Sequence, residues 1–206
     1  YMKSELIDKS LEGKVALVTG GGSGIGKAYC EALARNKVKL AVVDMDFDRA
    51  NDVSKELHSD FGVDTLPLKA DITSPQEVDN MINSIVSQWG RLDIAVNNAG
   101  ISHRDNAEDV SLETFDRVLN TNLRGSFICA QAEAKVMIPQ RYGKIVFTTS
   151  ISGLIINKPQ MHVAYGVSKA GVEHLVKDLG YEWIKYGINV NGICPGAVYT
   201  PFVQGH

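Results

Sequence analysis

The chain has 206 residues, 44% hydrophobic and 22% charged, with a formal net charge of −3, which fits one domain able to bury about 70% of the surface its unfolded form exposes. That charge balance excludes the basic footprint of a nucleic-acid or anionic-membrane binder, and no apolar run reaches the roughly 18 residues of a spanning helix. The three cysteines, Cys30, Cys129 and Cys194, are odd in number and lack a C-x-x-C spacing, which argues against a disulfide framework or a zinc site.

Tyr1-Met2-Lys3-Ser4-Glu5 opens the sequence without the apolar stretch of a signal peptide. Together with cysteines that read as buried thiols, this fits a cytoplasmic protein. Lys14 to Thr19 then predicts a strand that ends in a glycine cluster. A helix follows with Ile25, Ala28, Leu33 and Ala34 on its apolar stripe. Val38 to Asp44 predicts the second strand and Arg49 to Phe61 the second helix. Thr65 to Ala70 is a weaker third strand; its Pro67 cannot donate to a ladder, which places it at a sheet edge.

Ser74-Pro75-Gln76-Glu77 predicts a helix start, with Ser74 as N-cap, Pro75 in the first turn and Glu77 closing a capping box. That helix runs to about Trp89, and Leu92 to Asn97 is the fourth strand. Leu112 to Met137 predicts one long helix broken off by Pro139. Lys144 to Thr149 is the fifth strand, Ala164 to Lys185 a further helix, and Ile188 to Ile193 the sixth strand. Alternation of this kind predicts an α/β fold, a Rossmann-type doubly wound parallel sheet in a single domain over residues 1–206.

Two segments carry chemistry. Thr19-Gly20-Gly21-Gly22-Ser23-Gly24-Ile25-Gly26 lies between the first strand and its helix. Glycines there let the backbone turn sharply and let a pyrophosphate approach, with the helix N-terminus holding the phosphates. Asp44 closes the second strand about 20 residues on, where a carboxylate accepts from both ribose hydroxyls. No Arg or Lys stands beside it in sequence, since Met45, Asp46 and Phe47 follow, so NAD is favoured over NADP. Further along, Tyr165 and Lys169 are four residues apart on a predicted helix and share one face. An ammonium beside a phenol favours phenolate, which suits an acid/base pair.

Taken with Asn97-Asn98-Ala99-Gly100, Asn122, Ser150 and Pro195-Gly196, these segments resemble the short-chain dehydrogenase/reductase family in order and spacing, from Gly13 to Thr200. The T-G-x-x-x-G-x-G spacing is similar to the single-domain branch. The resemblance implies that Tyr165 is the general acid/base, that Lys169 binds the nicotinamide ribose and lowers the tyrosine pKa, and that Ser150 holds the substrate oxygen. It implies that Asn122 holds a water linking Lys169 to solvent. The S-x-x-G pattern selects Ser150 over Ser152, and N-L-x-G selects Asn122 over Asn120.

For the cofactor the resemblance implies contacts from Gly20, Ser23, Gly24, Ile25, Gly26 and Asp44, from Asp71 and Ile72 at the adenine, and from Asn98, Ala99 and Gly100. Pro195, Gly196, Val198 and Thr200 would line the nicotinamide. Asn157-Lys158-Pro159-Gln160 is similar to a stretch in polyol- and sugar-oxidising members, and His162 lies where it could touch substrate. The family also implies a small alcohol or ketone substrate, a homodimer or homotetramer, and a substrate-covering segment with a last strand after Thr200 that these 206 residues do not include. No metal is expected. The competing reading is a catalytically silent dinucleotide-binding regulator of the same fold.

Overall fold

A computed structural model describes residues 7–200. Six parallel strands, β1 (Val15–Thr19), β2 (Lys39–Asp44), β3 (Thr65–Lys69), β4 (Ile94–Asn97), β5 (Gly143–Thr148) and β6 (Ile188–Ile193), lie in the order β3-β2-β1-β4-β5-β6. Helices α1 (Gly24–Arg35), α2 (Phe47–Phe61), α3 (Pro75–Trp89), α4 (Leu112–Leu119), α5 (Ser126–Gln140) and α6 (Val163–Trp183) connect them. Every residue of β1 is buried because both faces of the strand are covered. Val15 and Leu17 enter the core shared with α3, α5 and α6, while Ala16 and Val18 enter the core shared with α1 and α2. The predicted doubly wound sheet is present. Its strand order reverses between β1 and β4, which opens a crevice at their carboxyl ends.

Pro67 does lie on an edge strand, opposite Val42 of β2. Ser74 caps α3 by accepting from the Glu77 N–H at 3.4 Å, but Glu77 does not close the box. Its carboxylate accepts instead from the Asp71 N–H at 2.9 Å, which ties the turn after β3 to the helix. Helix α2 starts earlier than predicted, at Phe47, because Asp46 accepts from the N–H groups of Asp48 and Arg49. The buried face of α1 is Gly26, Cys30 and Ala34, whereas Ala28 is exposed and Ile25 faces the crevice.

The expected single helix from Leu112 to Met137 is three segments. Between α4 and α5 the backbone winds as a π-helix over Asn120–Gly125. Pro139 does not end the run, since α5 continues to Gln140. The bond that proline removes would fall on the carbonyl of Lys135, an exposed residue near the end of the helix. Among the cysteines, Cys30 and Cys129 are buried and Cys194 is half-buried; all three are free thiols.

Candidate active site

The crevice at the switch point is a cleft of about 590 Å3, within the usual range for small-molecule sites. Its floor is built by a latch between β1 and β4. Thr19 Oγ1 accepts from the N–H groups of Asn98 at 3.0 Å and Ala99 at 3.1 Å. In return Asn98 Nδ2 donates to the carbonyl oxygens of Thr19 at 3.1 Å and Gly20 at 3.3 Å. Thr148, at the end of β5, donates its hydroxyl to Asn98 Oδ1 at 3.1 Å. Three strand ends thus converge on one asparagine.

The glycine loop rises from this latch. Gly24 adopts φ +54 at the first position of α1, a conformation that L side chains rarely take. Gly26 has a different job: a Cβ there would stand 1.9 Å from Gly20 O, so the helix lies directly on the loop. Gly26 is therefore buried beneath the cleft wall rather than part of it. Ser23 stands at the N-cap position, yet its hydroxyl makes no capping bond to α1. That leaves a hydroxyl beside backbone N–H groups at a helix N-terminus, an arrangement suited to phosphate oxygens.

Asp44 lines the same end of the cleft. Its Oδ2 accepts from the Gly22 N–H at 3.0 Å and its Oδ1 from the Asp46 N–H at 3.1 Å. A carboxylate offers about four lone-pair directions, so acceptor capacity remains for a pair of ribose hydroxyls. The structure adds a cation that adjacency in sequence did not reveal. Arg49, in the first turn of α2, lines the cleft beside Asp44 and Met45. Its Nε pairs with Asp46 Oδ2 at 3.0 Å.

Tyr165, Lys169 and Ser150 meet at the opposite end. Ser150 follows β5, and the turn after it presses against α6 at Gly153, where a Cβ would stand 2.8 Å from the backbone of Lys169 and Ala170. That close approach gives the S-x-x-G spacing a physical cause. The Ser150 side chain hydrogen-bonds Tyr165, and its Oγ also lies 3.2 Å from Ser152 Oγ. Lys169 is buried, donates to Thr148 O at 2.6 Å, and holds its ammonium 5.7 Å from the Tyr165 ring centroid. His162 packs against the same ring at a centroid distance of 5.5 Å.

The electrostatics differ from the expectation. Burial pushes the Tyr165 phenol above its ordinary pKa, and the bond from Ser150 opposes this. Burial pushes Lys169 down to about 8. Spacing alone suggested an ammonium that holds the phenol down; instead both groups share a desolvated pocket that disfavours charge on either. Burial, with Arg104 nearby, also lowers the pKa of His162.

Most of the predicted residues share the wall of this one cleft: Gly20, Ser23, Gly24, Ile25 and Asp44; Ile72, Asn98, Ala99 and Gly100; Ser150, Tyr165 and Lys169; and Pro195, Gly196, Val198 and Thr200. Asp71 and Asn122 lie off it. Asp71 Oδ1 accepts from the N–H and the hydroxyl of Thr73, both at 2.8 Å, leaving Ala70 and Ile72 on the wall. Asn122 sits buried in the π-helical segment behind Gly100. It accepts from the Ile101 N–H at 2.8 Å and donates to Ile101 O and Ser168 Oγ, both at 2.9 Å. Those bonds clamp the strand β4 exit to α6. Thr148, Ser168 and Arg49 were not singled out in the sequence, and only the position of Thr148 at a strand end gave any signal.

The model of the short chain dehydrogenase family matches residues 14–206. A sorbose reductase of Candida albicans is 34% identical over 194 residues, covering 93% of this chain and 68% of the relative. An NAD-dependent glycerol dehydrogenase of Listeria innocua is 36% identical over 194 residues, covering 94% and 74% respectively. The crystal structure of an NAD+-bound xylitol dehydrogenase superposes with a TM-score of 0.86 at 34% identity, covering 90% of this chain and 71% of that one.

Proposed function

The chain belongs to the short-chain dehydrogenase family of oxidoreductases, and from that premise we propose that it transfers a hydride between NAD(H) and a secondary alcohol/ketone pair of the polyol or sugar type. The observation that carries this reading is the contact between Ser150 and Tyr165 at the cleft mouth, one helical turn from buried Lys169. A silent nucleotide-binding protein has no use for that triad.

The residues fit a dinucleotide along the cleft. Ser23 and the N-terminus of α1 would hold the pyrophosphate, Asp44 the adenosine ribose, Ile72 the adenine, and Pro195, Gly196, Val198 and Thr200 the nicotinamide end. Asp44 favours NAD by repelling a 2′-phosphate, and Arg49 stands beside it with its Nε paired to Asp46 Oδ2. The nicotinamide, when bound, supplies the hydride carrier. Tyr165 donates a proton to the ketone oxygen in reduction and takes it back in oxidation, while Ser150 holds that oxygen by a hydrogen bond. Lys169 anchors to Thr148 O and would hold the nicotinamide ribose. Asn122 fixes the backbone at Ile101.

Asn157, Gln160 and His162 line the substrate side of the cleft, and this polar lining supports a hydroxylated substrate. So do the sorbose, glycerol and xylitol activities named for the relatives. Exposed Phe127 on α5 and Val167 on α6 support assembly as a homodimer or homotetramer, which light scattering would read directly. The deciding experiment follows NADH and NADPH absorbance with a panel of polyols, ketoses and simple ketones. Turnover with NAD(H) and hydroxylated substrates is expected. NADH binding by fluorescence without turnover on any of them would favour the silent regulator.

A further inference from the structure

Two oxygens on partnered, fully enclosed side chains have no hydrogen-bond donor. Asn97 ends β4, and its Nδ2 donates to Glu133 Oε2 of α5 at 3.0 Å. Glu133 has no exposed surface and Asn97 only 3%. Asn97 Oδ1 and Glu133 Oε1 are both buried without a partner. Buried acceptors are satisfied in nearly all native proteins, and an unpaired buried charge costs several kcal/mol or more. Turning the Asn97 amide over does not help, since it takes the Nδ2 donor away from Glu133 Oε2 and sets Oδ1 against the carboxylate instead.

We propose that Glu133 is a neutral carboxylic acid in the folded protein and donates its proton to Asn97 Oδ1, closing a reciprocal acid–amide pair that positions the cofactor cradle. One proton satisfies both orphaned oxygens at once. The surroundings agree, because burial pushes the Glu133 carboxyl up to about 8 with only the Asn97 bond opposing. The titratable neighbour that senses Glu133 is Cys129, one turn away on α5 and itself pushed up by burial. The elements packed against α5 bring apolar groups to this core: Met81 and Ile85 from α3, Phe147 from β5, Val172 from α6 and Ile188 from β6. Lys169 of α6 is buried too, but its ammonium donates to Thr148 O and is not among the groups that shift Glu133.

The position gives the pair leverage. Asn98, the next residue, is the side chain on which β1, β4 and β5 converge. Holding Asn97 to α5 therefore fixes the strand end from which the cradle is hung. Glu133 does not line the cleft; it is a positioning residue. Loss of its proton turns a mutual bond into two facing acceptors and loosens that end.

The test is Glu133→Gln, whose amide can donate to Asn97 Oδ1 and accept from Asn97 Nδ2 without a titrating proton. Near pH 6, where the native acid keeps its proton, the variant's NADH affinity should match that of the wild type within about twofold in Kd. Near pH 9 the variant should bind NADH at least about threefold more tightly, because the native wild type has ionised. Its melting temperature relative to the wild type should have climbed between pH 4.5 and about 8, where only the unfolded wild type has released the proton. Titration of Lys169 and Tyr165 is common to both proteins and cancels in the ratio. Infrared difference spectra near pH 6 should show a protonated carboxyl band that Glu133→Gln removes. A variant whose alkaline losses overlay those of the wild type, or an ionised carboxylate band at pH 6, overturns the proposal. The affinity arm rests on the cofactor reading above, whereas the melting and infrared arms need no ligand and distinguish failure of one from failure of the other.

Discussion

Replacing Tyr165 by Phe deletes one oxygen and leaves the ring packed against His162, so its effects are confined to the bond with Ser150 and to the proton that oxygen carries. Tyr165→Phe should lower kcat by about a thousandfold, the scale of a lost general acid, with NADH affinity by fluorescence unchanged within about twofold; a variant that stays fast refutes the assignment. Asp44 serves two roles, because the carboxylate that would meet the ribose also anchors the Gly22 N–H. Asp44→Ala should weaken NADH binding about tenfold, or about 1.4 kcal/mol, and NADPH binding less, so that the ratio of the two Kd values falls. An unaltered ratio removes Asp44 from cofactor choice. Residue identity was legible where a motif fixes both spacing and element, as for Ser150, Tyr165 and Lys169. It failed where a side chain had a choice of partners. Nothing in the sequence says that Asp71 turns toward Thr73, that Arg49 folds back beside Asp44, or that burial outweighs charge at Tyr165.

The glycine loop and α1 form a unit whose parts cannot move separately. A methyl group on Gly26 would collide with Gly20 O, a backbone atom that no side-chain rotation relieves. Gly26→Ala should therefore cost about 1–3 kcal/mol in urea unfolding, the scale of an overpacked core, and abolish measurable NADH binding. Retained binding at unchanged stability would mean that loop and helix are not packed as described. At this scale sequence reading was strong where periodicity and turn chemistry agreed. Each strand emerged within about two residues of its predicted span, and Pro67 marked the edge correctly. It was weak along α4 and α5, because a π-helical turn preserves the apolar pattern on either side while inserting Asn122 behind Gly100. Pro139 misled for a related reason: the residue type announces a break, but the lost bond falls on exposed Lys135 close to the helix end, where α5 tolerates it.

Burying a lysine at the meeting of β5 and α6 leaves a mark on the stability of the whole molecule. Lys169 has its pKa pushed from 10.5 down to about 8 in the fold. Between those values the unfolded chain holds a proton that the native protein has released, so this group's contribution to stability rises with pH from about 8 to about 10.5. Below about 8 both states are charged, and the native protein bears the full cost of enclosing an ammonium. Burial of Cys30 acts in the opposite sense at higher pH, since its thiol is pushed up to about 12 and the fold loses stability as the solution passes the thiol's ordinary value of 9.0. The wild-type curve mixes these trends, but a difference curve isolates one of them. Lys169→Met removes the titration while keeping an unbranched apolar stem and leaving Cys30 in place. Its urea midpoint relative to the wild type should be highest near pH 7 and should decline steadily as the pH is raised past about 8. The constant loss of the bond to Thr148 O shifts that curve vertically without tilting it. A difference that is flat from pH 7 to pH 10 would mean that Lys169 keeps its ordinary pKa. The ammonium would then be solvated, which is incompatible with a lysine enclosed beside Tyr165 as a fixed member of the proton-handling set.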